Sequence, residues 1–108
     1  MRLYVIGPVS GVEHDNRPAF EEARGRLLEA GYEVEIPHDT IPTGTSWQSA
    51  MKHSIQRMFD ADAVAMIEGV LRSEGATIER DLCRRIGVDC LTVGMWCERP
   101  LEMRRKHG

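Results

Sequence analysis

Glu68, Ser73, Gly75, Ala76 and Glu79 fall within one stretch, Glu68-Gly69-Val70-Leu71-Arg72-Ser73-Glu74-Gly75-Ala76-Thr77-Ile78-Glu79. Glu68 follows directly on an apolar run, Ala63-Val64-Ala65-Met66-Ile67. A carboxylate there stands at the C-terminal edge of a buried strand, where the ligand crevice of an open α/β sheet lies. Gly75-Ala76-Thr77 reads as the mouth of a helix, and Glu79 comes four residues after Gly75. Ser73 is either an ordinary turn or N-cap residue or, with the N–H groups of Gly75 and Ala76, part of an anion site at a helix N-terminus. Two carboxylates beside an anion site suit cleavage of the N-glycosidic bond of a nucleotide. One attacks or stabilises the anomeric carbon, and the other handles the proton of the leaving base or incoming water. The same groups equally suit binding a nucleotide without turnover. Glu79 taken alone, one residue off a stripe set by Ile78 and Leu82, has the ordinary reading of a surface glutamate complementing the helix dipole, worth about 0.3–1 kcal/mol. Glu74, beside Ser73, fits an anion site only with its side chain turned to solvent.

The elements that must position these groups follow a regular alternation. Leu3–Ile6 is continuously apolar, as a parallel strand covered on both faces is. Gly7-Pro8-Val9-Ser10-Gly11 is a loop whose glycines allow either a tight turn or close approach to a ligand. Glu13–Arg17 reads as a linker and Pro18 as the first turn of a helix. Phe20, Ala23, Leu27 and Ala30 share one face of that helix, and Gly31 ends it. Tyr32–Ile36 alternates, predicting an edge strand with Glu33 and Glu35 on a wetter face. Pro37–Thr45 is a long loop holding His38 and Asp39, and Ser46 is a fair N-cap. Trp47, Met51, Ile55 and Met58 form the stripe of a second helix, read as core, with a partner subunit as the other possible occupant. Ala63–Ile67 is a third strand. Ile78, Leu82 and Ile86 predict the buried stripe of a third helix closed by Gly87, and Cys90–Val93 a fourth strand. The expected fold is a three-layer, doubly wound (Rossmann- or flavodoxin-like) α/β domain over residues 1–94. Its parallel sheet has four to five strands in the order 2-1-3-4, with a C-terminal tail over 95–108 into which Trp96 suggests some docking. The switch point of that sheet brings Gly7–Gly11 opposite Glu68–Glu79.

Composition narrows the function classes. One domain is what 108 residues allow, and a net charge of −3 argues against a nucleic-acid surface. Arg104-Arg105-Lys106 reads as a solvated terminus. No apolar stretch is long enough to span a membrane, and the start is too short for a signal peptide, so a cytoplasmic protein is expected. Three cysteines, Cys83, Cys90 and Cys97, lack any Cys-x-x-Cys spacing and read as reduced thiols, with no metal expected.

Tyr4-Val5-Ile6-Gly7-Pro8-Val9-Ser10-Gly11, Ala61-Asp62-Ala63-Val64 and Ser73-x-Gly75-Ala76-x-x-Glu79 together resemble the nucleoside 2-deoxyribosyltransferase-like superfamily. The similarity covers roughly residues 1–94. It is strongest to small, mostly uncharacterised phage and bacterial members. The resemblance implies Glu79 as nucleophile and Glu68, where transferases usually carry Asp, as the proton-handling acid. It implies Tyr4, Gly7, Pro8, Ser10 and Gly11 of the opening strand and loop, with Ser73, Gly75 and Ala76, as substrate- and phosphate-binding residues. Transferases place an Asp on the sugar 5′-hydroxyl six residues before the nucleophile. Here that position is Ser73, as in the similar 2′-deoxynucleoside 5′-monophosphate N-hydrolases, where serine meets the 5′-phosphate. Replacing a carboxylate by a donor is what a phosphorylated substrate requires. The resemblance further implies a homodimer or larger homo-oligomer and no cofactor.

Overall fold

β1 (Arg2–Ile6) lies inside a four-stranded sheet, paired in parallel with β2 (Glu33–Glu35) on one side and β3 (Ala63–Met66) on the other. β4 (Cys90–Thr92) adds in parallel to β3, giving the order β2-β1-β3-β4. This computed structural model describes residues 1–104, so Arg105, Lys106 and the end of the expected tail lie outside the described residues.

The uniform apolarity of Leu3–Ile6 in β1 has its reason in the layers. Leu3 and Val5 point into one core with Phe20, Ala23 and Leu27 of α1 (Arg17–Glu29) and with Val93 and Trp96 of α4 (Val93–Glu98). Tyr4 and Ile6 point into the other, with Met58 of α2 (Trp47–Asp60) and Ala76 and Cys83 of α3 (Glu74–Ile86). A strand buried on both faces cannot alternate apolar with polar. The same alternation sends Tyr4 to the α2/α3 side, where Glu79 lies.

Four expectations need correction. The buried face of α3 is Gly75, Ala76, Glu79 and Cys83, while Ile78 and Ile86 are exposed. The stripe is rotated by about one residue, because small side chains let α3 lie close against α2, and the carboxylate is carried inside with them. The outer face of β2 is not wet throughout: Glu33 is exposed, but Glu35 is buried. Arg57 of α2 donates to it from Nε at 2.7 Å and Nη2 at 2.6 Å, and Arg2 adds a further bond. Those bonds, Arg57's above all, hold the Glu35 carboxyl below its ordinary range. The expected core stripe of α2 divides, with Met58 buried and Trp47 largely exposed at the other end. Finally, α4 runs across residue 94. Trp96 is fully buried, donates its indole N–H to Val64 O at 2.8 Å, and has Arg99 over its ring at 4.6 Å. Arg104 then ties the chain to Ala30 O and Cys97 O, so Trp96 and Arg104 anchor this segment to the domain.

Candidate active site

The C-terminal ends of the parallel strands open into a cavity of about 220 Å³. Ile6 and Gly7 form part of its floor, and Ser73, Gly75, Ala76 and Glu79 of α3 one wall. Trp47, Met51 and Ser54 of α2 stand beside them, and the loops carrying Ser10, Asp15 and His38 close the far side.

Helix α3 starts as the sequence predicts. Ser73 is its N-cap: its Oγ accepts the Ala76 N–H at 3.2 Å, and Thr77 N donates to Ser73 O. An N-cap hydroxyl that accepts from the backbone keeps its own hydrogen to donate. The amides of Glu74 and Gly75, at the first turn, have no carbonyl four residues back within the helix. Ser73 and Gly75 both line the cavity, whereas the Glu74 side chain is exposed. The Ala76 N–H is committed to the cap, so Ala76 contributes its small side chain and not a free donor.

Glu79, on the second turn, is only 5% exposed and sits on the cavity wall. Burial pushes its carboxyl up to about 7, against the opposing pull of a hydrogen bond from Ser54 Oγ to Oε2 at 2.5 Å. Ser54 is itself buried and lies 2.8 Å from Tyr4 Oη. Tyr4 therefore belongs to the site, but beneath it: the side chain is fully buried and reaches Glu79 through Ser54. Burial raises its phenol well above the ordinary tyrosine range.

The remaining sequence-derived residues separate. Gly7 and Ser10 line the cavity; Pro8, Gly11 and Glu68 do not, and Glu68 and Gly11 are exposed. Gly7 has a packing reason for its lack of side chain, since a β-carbon there would stand 2.2 Å from Ile67 Cγ1. Pro8 packs toward Gly69, where a β-carbon would lie 2.9 Å from its Cγ.

Two residues at this site, Ser54 and Asp15, carry no warning in the sequence. Ser54 looks like any polar residue in a helix; its one signal is its place four residues before Met58 on the inward face. Asp15 brings a carboxylate to the cavity from the β1–α1 loop. It is the middle of three consecutive residues in the left-handed region, His14, Asp15 and Asn16, with φ of 55°, 53° and 57°. Such backbone costs about 1–2 kcal/mol per residue, and here three bonds hold it: Asn16 Nδ2 to Pro8 O at 2.9 Å, Asp15 N to Val12 O at 3.0 Å, and His38 Nε2 to Asp15 O at 2.7 Å. His38 also packs on the Phe20 ring at 4.8 Å, and its buried Nδ1 has no partner among the described residues. Arg24 fixes the adjoining Asp39 at 2.7 Å, anchoring that loop to α1.

Over residues 1–92 the chain matches the family model described as Domain of unknown function (DUF4406). The chain belongs to the DUF4406 family. Its fold is also similar to a solved structure, that of a 2-desoxiribosyltransferase from Leishmania mexicana, with a TM-score of 0.62 and 20% sequence identity. The likeness covers 84% of this chain and 62% of that one. At that identity it is a likeness of fold alone, and it agrees with the α/β fold that the motifs suggest. The domain spans less than two thirds of that protein's length. No curated protein matches the chain. Among the described residues no helix is long and apolar enough to cross a membrane.

Proposed function

We propose that this DUF4406 domain cleaves the N-glycosidic bond of a (deoxy)nucleoside 5′-monophosphate, with Glu79 as nucleophile. The observation that carries the reading is a buried carboxylate, titrating near neutrality, on the wall of a cavity at the switch point of the sheet. A Glu79 oxygen bonds to C1′ as the C1′–N bond breaks. The bond's electron pair leaves with the base, which takes up a proton. Water, or a second base, then releases the sugar phosphate from Glu79. Ser73 and the free amides of the first turn of α3 receive the 5′-phosphate, which the helix dipole favours. That the named relative is a deoxyribosyltransferase supports the reaction class.

A second reading, nucleotide binding or sequestration without turnover, is favoured by one observation: Glu68 is exposed and away from the cavity. In the catalytic reading the proton then falls to water or to Asp15, the other carboxylate on the wall.

Incubation with a panel of nucleosides and their 5′-monophosphates, followed by chromatography for free base, separates the two. Catalysis gives base from a monophosphate, lost in Glu79→Gln. Binding alone gives thermal stabilisation by a monophosphate with no base released. Base release unchanged in Glu79→Gln refutes the assignment of the nucleophile.

A further inference from the structure

Ser54 is joined to Glu79 by the hydrogen bond to Oε2 and to Tyr4 by the 2.8 Å contact, all three side chains being buried. The donors in this chain have one consistent order when Glu79 is ionised. A carboxylate only accepts, so Ser54 gives it the hydroxyl hydrogen. The Ser54 oxygen then accepts from the Tyr4 phenol, which has no other partner among the described residues. The Ser54 hydrogen bonds a carboxylate more strongly than a neutral acid, and a proton on Glu79 Oε2 would leave one hydroxyl hydrogen of the chain without an acceptor in the core. An unmade buried hydrogen bond is costly, so the chain favours the anion.

We propose that Ser54 is a positioning residue that holds Glu79 by one oxygen, favours its anion, and leaves the other oxygen to face the ligand. Oε1 has no hydrogen-bond partner among the described residues. Other ionisable groups face Glu79 from several elements: Tyr4 on β1, Cys83 on α3 itself, Cys90 on β4, and Asp15, Arg17 and His38 across the cavity. None of these is within hydrogen-bonding contact of the Glu79 carboxyl, so Ser54 is the side chain that directly opposes the effect of burial on its charge. The role of Ser54 in turnover rests on the glycosidic reading above; its control of Glu79 ionisation does not.

The test is therefore made on the carboxyl itself. In protein labelled with 13C-glutamate, the Glu79 carboxyl carbon is followed through a pH titration, its signal assigned by its loss in Glu79→Gln. The wild type titrates near 7. Ser54→Ala raises the midpoint by ~1–2 pH units, the worth of a hydrogen bond to a charged group. Ser54→Cys, which keeps the volume with a weaker donor, moves it the same way and serves if Ser54→Ala fails to fold. Ser54→Thr restores the wild-type midpoint. In Ser54→Ala and Ser54→Cys base release at pH 7 falls by roughly 5- to 50-fold and recovers at higher pH, as the lost anion fraction requires. An unmoved midpoint in both Ser54→Ala and Ser54→Cys overturns the inference. A shifted midpoint in a protein that releases no base from any nucleotide upholds it and overturns the catalytic reading instead.

Discussion

Gly75 of α3 faces Met51 of α2 so closely that a β-carbon at position 75 would stand 2.8 Å from Met51 Sδ. The glycine thus serves helix packing as well as the cavity wall it shares with Met51. Gly75→Ala is expected to change stability little, because alanine gains about 1 kcal/mol of helix propensity and the flexible thioether can swing aside. It swings within the cavity wall, so nucleotide affinity falls. Gly7→Ala behaves in the opposite way, since its β-carbon meets the branched Ile67 side chain at 2.2 Å. Overpacking there costs about 1–3 kcal/mol. Urea denaturation and a nucleotide titration on the two variants check the contrast.

Glu79 couples stability to pH. Its folded carboxyl titrates near 7 and an unfolded glutamate near 4.5, so the folded protein binds the extra proton between those values. Stability from this group is full below pH 4.5, falls as pH rises through the window, and stays low above 7. Glu79→Gln is expected to exceed the wild type by about 2–4 kcal/mol at pH 8 and to match it near pH 4.5, as measured by urea denaturation at both pH values.

Glu35 has the reverse sign. Its carboxyl is held low, chiefly by the Arg57 hydrogen bonds, so its contribution is present above pH 4.5 and is lost as pH falls below that. Glu35→Gln is expected to cost about 1–3 kcal/mol at pH 7, less than a fully buried pair because Arg57 and Arg2 are partly exposed. Repeating the denaturation at pH 3 is expected to shrink the difference.

Trp96 makes α4 integral to the domain. Trp96→Ala removes the largest fully buried side chain and the bond to Val64 O, and is expected to cost about 3–5 kcal/mol. A chain ending at residue 94 is expected to lose cooperative thermal unfolding, as followed by circular dichroism.

The strand order and the meeting of Gly7 and Ser10 with the α3 start are legible in the sequence because doubly buried strands are continuously apolar and parallel crossovers have one hand. Ser73 is legible because an N-cap is a local matter of one side chain and one amide. The depth of Glu79 is not. A hydrophobic stripe assigns Ile78 and Ile86 to the core, and only the close approach of α3 to α2 at Gly75 turns the carboxylate inward. Ser54 is invisible for the same reason, its role existing only when β1, α2 and α3 meet. Asp15 and Glu68 depend on loop backbone. A run of left-handed residues carries the first to the cavity, and a turn just past β3 leaves the second in solvent.

The nucleophilic role of Glu79 is tested most directly by intact-protein and peptide mass spectrometry after incubation with a 2′-deoxy-2′-fluoro nucleoside 5′-monophosphate, whose fluorine slows release of a glycosyl ester. A mass increase equal to the fluorinated sugar phosphate, located on Glu79 and absent from Glu79→Gln, is the expected result. Release of base with no adduct at Glu79, or with an adduct on another residue, would contradict it.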